Sequence, residues 1–201
     1  MIKVAVTGSI ASGKSLAEKV FQQEGAAALD TDQVVHELLT EDNTVIKKVY
    51  ELFMPMGVDV RDKSGSIDRK KVGDIVFSDK QKLKKLEKII HPEVKKITKK
   101  FFLSNQDKDL AVVSAPLLFE AGMENMFDYI VAITANEELR QERLMKTRNL
   151  TEDQALNRIK SQEFGWKKLE KADFIIENNG SVEEFRMKVK NVINKIKSRV
   201  L

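Results

Sequence analysis

The chain has 201 residues, of which 42% are hydrophobic and 33% are charged, and it contains no cysteine. This length fits one domain with insertions, and the composition is that of a globular protein. The lack of cysteine excludes disulfides, thiolate metal sites and a cysteine nucleophile, and it suits a reducing compartment. No apolar run approaches the roughly 18 to 20 residues that cross a bilayer, and none at the start resembles a secretory signal. We therefore expect a cytoplasmic protein that does not span a membrane.

The net charge is +4, from 35 basic and 31 acidic side chains, and the basic residues are clustered. Residues 80–100 contain nine lysines and two acids, and residues 186–201 contain six basic residues and no acid. Such runs either attract a polyanion or form the solvated face of a helix, and the second is more common. Aromatic residues are only 6% of the chain, which does not favour a surface that stacks nucleic-acid bases. We expect no nucleic-acid partner.

Short apolar runs alternate with longer segments of helical period, which is typical of the α/β class. The short runs are almost continuously apolar, as strands of a parallel sheet covered on both faces should be. The sequence therefore predicts a five-stranded parallel sheet flanked by helices. The predicted strands are Ile2–Val6, Ala26–Leu29, Leu110–Ser114, Tyr129–Thr134 and Phe174–Glu177.

Three capping-box patterns predict helix starts, because the paired side chains satisfy backbone N–H groups that have no partner within the helix. They are Ser78 with Gln81, Thr151 with Gln154, and Ser181 with Glu184. The last helix carries an apolar stripe that should cover the sheet. Its members are Val182, Phe185, Val189, Val192, Ile193, Ile196 and Val200.

The spacing of the strands predicts one domain with three parts. About 80 residues separate the second and third strands, far more than a usual crossover, and they have mostly helical periodicity. We expect a nucleotide-binding core of residues 1–31, 109–135 and 165–201. A helical insert of residues 32–108 and a helical lid of residues 136–164 interrupt it.

A phosphate-binding loop follows the first strand. The segment Gly8–Ser15 has the pattern G-x-x-x-x-G-K-S, and the amphipathic segment Leu16–Gln23 follows it. Glycine permits close backbone approach, so that loop N–H groups and the helix N-terminus can bind phosphate oxygens. Lys14 would neutralise the β- and γ-phosphates, and Ser15 would ligate Mg²⁺. The remaining loop positions are Ser9, Ile10, Ala11 and Ser12, with Leu16 just beyond.

Acidic and basic residues near other strand ends are further candidates. Asp32 follows the second strand, where it could accept a proton from an acceptor hydroxyl or simply be an N-cap. Glu120 follows the third strand and could be an ordinary loop acid. Arginines and lysines of the lid could neutralise a transferring phosphoryl group or form a solvated helix face; they are Arg140, Arg143, Lys146, Arg148, Arg158 and Lys160. A histidine-based metal site is not expected, because the two histidines lack metal-ligand spacing.

Together these motifs resemble the dephospho-coenzyme A kinase family over almost the whole chain. The resemblance is carried by an ordered series of segments. They are Gly8–Ser15, Asp30–Asp32, Gly65–Arg69, Ile75–Phe77, Leu86–Pro92, Pro116–Glu120, Gln162, Ala172–Asp173 and Asn178. The resemblance implies a P-loop NTPase fold and transfer of the ATP γ-phosphate to the ribose 3′-hydroxyl of dephospho-coenzyme A. This is the last step of coenzyme A synthesis.

The resemblance also implies roles for individual residues. Asp32 would be the general base, Lys14 and Gly8–Leu16 would bind ATP, and Ser15 would hold Mg²⁺. Arg143 would be the lid arginine at the γ-phosphate, and Asn178 would lie near the adenine. A second lid arginine, expected four residues after the first, is replaced by Thr147, so Arg148 is a displaced candidate. The acceptor would bind the insert and the loop after the third strand, through Asp32, Arg69, His91, Pro92, Leu117 and Glu120.

Two other functions remain open at the level of sequence. Another P-loop kinase, for a nucleoside or nucleoside monophosphate, would share the core, the lid and an acceptor insert. A GTP-binding switch would usually carry an N-K-x-D string at a strand end, which this chain lacks. The sequence identifies no protein partner.

Overall fold

The computed structural model describes residues 1–76, 79–161 and 166–199, and it divides the chain into two compact units. The sheet unit comprises residues 1–30 and 102–201, and the helical unit comprises residues 31–101. Several predicted features lie outside the described residues. They are Phe77, Ser78, Gln162, Val200 and the predicted lid residues 163–164.

The sheet unit is built on five parallel strands in the order β2-β3-β1-β4-β5. Their bounds are β1 Ile2–Gly8, β2 Ala27–Asp30, β3 Leu110–Ser114, β4 Tyr129–Thr134 and β5 Phe174–Glu177. The predicted parallel α/β sheet is confirmed, and the predicted limits of the last three strands are met to the residue. Strand β1 runs two residues further than expected, so that the phosphate-binding loop begins at its last residue.

The sheet unit also contains five helices among the described residues. They are α1 Lys14–Gln23, α6 Glu137–Arg148, α7 Glu152–Ser161, α8 Trp166–Leu169 and α9 Val182–Ser198, with a 3₁₀ turn at Glu124–Met126. Helices α1 and α9 bury their apolar stripes against β1 and its neighbours. Five members of the predicted α9 stripe are buried, whereas Val182 is half-exposed. The prediction for Val182 is wrong because it is the first residue of the helix, where the stripe leaves the core.

The helical unit contains α2 Thr31–Thr40, α3 Asn43–Phe53, a 3₁₀ turn at Met54–Met56, α4 Arg69–Val76 and most of α5 Lys80–Ser104. Its apolar positions follow helical spacing, and Val49 and Phe53 on α3 are fully buried. Between α3 and α4, a turn pairs Arg61 with Ile67, whose N–H donates to the carbonyl of Leu39 at 2.8 Å. The segment 62–68, which is rich in glycine, serine and aspartate, is therefore an ordered turn.

Helix starts follow the predicted capping chemistry at two places. The Thr151 and Gln154 pair is reciprocal, with distances of 3.1 and 3.4 Å, and Ser181 with Glu184 forms a complete capping box. Helix α5 is capped by the Asp79 carboxylate, which accepts from the N–H groups of residues 81 and 82. Among the described residues, no helix is both long enough and apolar enough to cross a bilayer.

Candidate active site

The phosphate-binding loop connects the central strand β1 to the N-terminus of α1. Helix α1 begins at Lys14, and Gly13 precedes it in a left-handed conformation with φ of 111°. The first N–H groups of a helix have no intrahelical partner, and together with the helix dipole they favour an anion. The backbone at this end of the sheet therefore has the geometry of a phosphate site.

Two glycines make this loop possible because each lies against a neighbouring segment. A Cβ at Gly8 would lie 2.1 Å from the carbonyl oxygen of Ile133 on β4. A Cβ at Gly13 would lie 2.3 Å from Nδ2 of Asn178, just after β5. Both also have positive φ, at 144° and 111°. Only glycine fits either position without displacing backbone or a buried side chain.

The Lys14 side chain holds the loop closed. Its Nζ donates to the carbonyl of Gly8 at 3.1 Å and to that of Ser9 at 2.8 Å. The ammonium therefore lies against the loop, where it would contact a phosphate bound to the loop N–H groups. The Ser15 side chain lies exposed in the first turn of α1, and the Ser12 hydroxyl is buried without a hydrogen-bond partner in the described part of the chain.

The predicted lid segment packs on the loop and brings Arg143 to it. Leu144, Ala155 and Ile159 form a buried cluster with Ile10 of the loop. Arg143 Nη1 donates to the carbonyl of Ala11 at 3.3 Å. Arg148 is exposed at the end of α6, before Asn149 in a left-handed conformation. The structure therefore brings Arg143, and not Arg148, into contact with the loop.

Asn178 contacts both the loop and the lid arginine. Its side chain is 6% exposed, and Nδ2 donates to the carbonyl of Ser12 at 2.8 Å. Its own carbonyl accepts from Nη2 of Arg143 at 2.9 Å. The sequence identified Asn178 only through a resemblance and did not reveal these contacts, since the residues involved are 166 and 35 positions apart.

Arg140 is a basic residue of the predicted lid to which the resemblance assigned no role. Its side chain is only 13% exposed, and Nε donates to the carbonyl of Ala135 at 3.1 Å. It lines a cavity of about 330 Å³ whose other lining residues are Ser9, Thr134, Ala135, Glu137, Ile159 and Lys160. Its position one turn before Arg143 on α6 was the sequence signal that could have found it.

The loop after β3 exposes two predicted acceptor residues. Leu117 and Glu120 are both exposed, while Leu118 between them is fully buried and fixes the loop. The Glu120 carboxylate accepts from Nζ of Lys168 in an ion pair. Glu120 is therefore already partnered by a cation of its own unit.

An acidic pair lies beside the loop helix. Glu18 of α1 is half-buried, and Asp30 is the last residue of β2. Burial raises the pKa of Glu18 above its ordinary value, the negative charge of Asp30 raises it further, and Lys19 opposes the change. The two carboxylates are thus close enough to repel each other, and protonation of Glu18 relieves that repulsion.

The helical unit carries the remaining predicted residues. Asp32 is exposed in the first turn of α2. The alternative that Asp32 is an N-cap is wrong, because β2 passes directly into a helix that begins at Thr31. Arg69 is exposed as the first residue of α4, and His91 and Pro92 lie next to each other inside α5. The structure places each of these side chains within the helical unit.

A central strand that leads through such a loop into a helix, beside a helix that brings an arginine to the loop, places the chain among the P-loop NTPases. Within this class, an arginine at the phosphates can stabilise the charge on a transferring phosphoryl group. The family comparison supplies the particular assignment. A family model described as dephospho-CoA kinase matches residues 2–184.

Individual relatives agree with the family model. The chain is 38% identical over 196 residues to a dephospho-CoA kinase of Carboxydothermus hydrogenoformans, covering 96% of this chain and 94% of that one. It is similar in structure to a dephospho-CoA kinase from Campylobacter jejuni, with a TM-score of 0.72, 32% identity and coverage of 99% and 98%. TT1252 from Thermus thermophilus gives a TM-score of 0.79 at 30% identity, covering 96% and 97%. The chain belongs to the dephospho-CoA kinase family.

Proposed function

We propose that this kinase transfers the γ-phosphate of ATP to the ribose 3′-hydroxyl of dephospho-coenzyme A, which yields coenzyme A and ADP. The family assignment supports this reaction, which is the last step of coenzyme A synthesis. The observation that carries the ATP site is the loop Gly8–Ser15, closed on Lys14 at the N-terminus of α1. The alternatives of a nucleoside kinase and a GTP switch are not favoured by any of the comparisons.

ATP would bind through the loop backbone. The N–H groups of the loop and of the first turn of α1 would bind the phosphate oxygens, and Lys14 would neutralise the β- and γ-phosphates. Arg143 would stabilise the charge on the transferring phosphoryl group. A guanidinium has five N–H donors, more than its two carbonyl partners here require. The proposed ATP-binding residues are Gly8, Ser9, Ile10, Ala11, Ser12, Gly13, Lys14, Ser15, Leu16, Arg143, Arg148 and Asn178.

We infer that Asp32 is the general base. As the bond between the acceptor O3′ and the γ-phosphorus forms, the hydroxyl proton passes to the Asp32 carboxylate, and the bond from that phosphorus to the β,γ-bridging oxygen breaks. Two facts support this role: Asp32 is exposed, and it follows the end of β2 by only two residues. Ligands of parallel α/β proteins bind beyond the carboxyl ends of the strands, where β2 ends.

The described residues fit Mg²⁺ held mainly by nucleotide phosphates. They contain no group of three histidine, aspartate or glutamate side chains able to hold a metal ion by themselves. Magnesium in kinases is usually bound by one or two protein groups together with phosphates and water. We propose the exposed hydroxyl of Ser15 as a ligand. Bound there, the ion would neutralise charge on the phosphates.

Besides Asp32, we propose five residues that bind the acceptor. Arg69 offers a cation for the pyrophosphate of dephospho-coenzyme A, and His91 and Pro92 offer a polar group and an apolar ring face on α5. Leu117 and Glu120 would contribute from the loop after β3, where Glu120 is held by Lys168. We propose that the core, residues 1–31, 109–135 and 165–201, binds ATP. The insert, residues 32–108, would bind the acceptor, and the lid, residues 136–164, would close over the substrates.

We further propose that the enzyme works in the cytoplasm. The chain has no cysteine, which suits a reducing compartment, and both of its proposed substrates are soluble metabolites.

The experiment is an ADP-release assay with ATP and Mg²⁺ that compares dephospho-coenzyme A with nucleosides, nucleoside monophosphates and no acceptor. Turnover only with dephospho-coenzyme A, and a product phosphorylated at the 3′ position by mass spectrometry, are expected. Turnover with a nucleoside monophosphate instead would contradict the proposed acceptor, and hydrolysis without acceptor would contradict a kinase.

The general base is tested by Asp32→Asn, with Glu37→Gln as the matched control. Both side chains are exposed on α2, and each change replaces a carboxylate by its amide. We expect Asp32→Asn to lower kcat by about 10² to 10⁴, as loss of a general base does, with little change in KM for ATP. Glu37→Gln should remain close to wild type. Equal kcat values for Asp32→Asn and wild type would rule out the assignment.

A further inference from the structure

Asn178 makes three hydrogen bonds, one of which is to the phosphate-binding loop. Its side-chain Nδ2 donates to the carbonyl of Ser12 at 2.8 Å, and its main-chain carbonyl accepts from Arg143 at 2.9 Å. Its own N–H donates to the carbonyl of Thr134 at 2.8 Å, at the end of β4. The amide is buried, at 6% exposed. Asn178 is therefore fixed to the sheet and, in turn, fixes the loop.

The contact with Ser12 sets the direction of one loop amide. In a planar trans peptide, the carbonyl of one residue and the N–H of the next point in opposite directions. Holding the carbonyl of Ser12 on Asn178 therefore turns the N–H of Gly13 away from Asn178. A side chain at Gly13 would collide with the side-chain amide of Asn178, since its Cβ would lie 2.3 Å from Nδ2.

The carbonyl of Ala11, the residue before Ser12, is bound by Arg143, which also binds Asn178. Arg143, which donates to the main-chain carbonyl of Asn178, also donates to the carbonyl of Ala11 at 3.3 Å. Ala11 has a φ of 58°, a left-handed conformation that is unfavourable for a residue with a side chain. Two consecutive carbonyls of the loop are thus held on one side by Asn178 and the arginine that it binds.

We propose that Asn178 is a positioning residue that orients the N–H of Gly13 toward the phosphates of ATP and couples the loop to Arg143. It acts through the loop backbone, and contact with the adenine is not needed for this role. The inference rests on the proposed ATP site and specifies how Asn178 serves it. A residue in this role affects binding of any polyphosphate, whether or not the ligand carries a base.

This property gives a test with two ligands, ATP and inorganic tripolyphosphate. Their affinities are measured by calorimetry for wild type, Asn178→Asp and Asn178→Ala, with Mg²⁺ at a fixed concentration. Asn178→Asp keeps the size of the side chain but presents an oxygen to the Ser12 carbonyl, whereas Asn178→Ala removes the donor without adding charge. Loss of one partner of a buried hydrogen bond typically changes an equilibrium by about 5- to 150-fold.

The matched control is Asn179→Asp. Asn179 is exposed, and its Oδ1 accepts from the N–H of Asn136 at 2.8 Å, an acceptor that aspartate retains. The control therefore adds the same charge one residue away without touching the loop. Melting temperatures of all variants, measured without ligand, identify any variant that is not folded, and Asn178→Ala then replaces Asn178→Asp.

The expected result is that both Asn178 variants bind ATP and tripolyphosphate about tenfold or more weakly, by the same factor for both ligands, as loss of a shared hydrogen bond predicts. KM for ATP should rise in parallel while KM for dephospho-coenzyme A stays near wild type, a split that general destabilisation would not produce. Weaker binding of ATP alone would show an adenine contact and overturn the inference, as would unchanged binding of both. If wild type bound neither ligand, the proposed ATP site would fail as well.

Discussion

The two units differ in how they hold their candidate functional residues. In the sheet unit, Lys14, Arg143 and Asn178 each bind backbone carbonyls of the phosphate-binding loop or its neighbours. In the helical unit, Asp32 and Arg69 are exposed near the starts of their helices. The difference indicates that the nucleotide site is organised by folding itself.

Glycines show the same contrast. A Cβ at Gly8 or Gly13 in the sheet unit would collide with a neighbouring segment, whereas Gly57 and Gly65 in the helical unit have nothing within 4 Å of that position. In the helical unit, glycine is needed only for the positive φ of a turn, 70° and 88° respectively. At Gly8 and Gly13, glycine is also needed for space.

The largest effect that follows from this contrast is on stability. Gly8→Ala forces a methyl group to within 2.1 Å of a backbone oxygen, so we expect it to lower the free energy of unfolding by about 3 kcal/mol or more. Gly57→Ala meets only the left-handed backbone and should cost about 1 kcal/mol. Urea denaturation followed by circular dichroism measures both. Similar losses for the two variants would contradict the steric argument.

The next effect is on catalysis and compares one arginine from each unit. Arg143→Ala should lower kcat by about 10² or more, because an arginine on a transferring phosphoryl group stabilises the transition state. Arg69→Ala should mainly raise KM for dephospho-coenzyme A, by about tenfold for one lost charged contact. Steady-state kinetics with each substrate varied in turn separate the two. A fall in kcat for Arg69→Ala as large as that for Arg143→Ala would contradict the proposed division of roles.

The smallest effect concerns the pH dependence of the helical unit. Hydrogen bonds from the Arg61 side chain and backbone N–H hold the pKa of Asp59 at about 2, below its ordinary value of 3.8. Because the folded-state pKa is lowered, the stabilisation is present above about pH 4 and is lost as the pH falls toward 2. The difference in stability between wild type and Asp59→Asn should therefore shrink over that interval.

The measurement is urea denaturation at pH 5 and at pH 2.5, with Asp107→Asn as the control. Asp107 is an exposed acid whose pairing with Lys108 is loose, at 3.5 Å. The exposed Asp59 pair contributes little in absolute terms, since solvent screens it. A stability difference between wild type and Asp59→Asn that grew toward acid pH would contradict the predicted effect of this ion pair.

Much of the sheet unit could be predicted from local sequence. Strands β3, β4 and β5 are short apolar runs with polar neighbours, and the Ser181 capping box fixed the start of α9. The N-cap interpretation of Asp32 failed because β2 enters α2 without an intervening loop residue. The prediction that Val182 belongs to the buried stripe was wrong because periodicity alone does not show where a helix leaves the core.

The contacts among site residues could not be predicted in the same way. Asn178 and Ser12 are 166 residues apart, and Arg143 and Ala11 are 132 apart. Their meeting depends on the order of strands β1, β4 and β5 and on side-chain packing, neither of which has a local signature. Arg140 was visible as a basic residue of the predicted lid, but its burial follows only from the tertiary fold.

The closure of the loop on Lys14 has a consequence for the entropy of binding. A segment that must become ordered when its ligand binds loses conformational freedom at that moment, and its affinity falls accordingly. Here the carbonyls of Gly8 and Ser9 and the ammonium of Lys14 already restrain one another, at 3.1 and 2.8 Å. The conformational freedom of this loop is therefore lost when the protein folds, and not when the phosphates bind. More of the free energy of the phosphate contacts then contributes to the affinity.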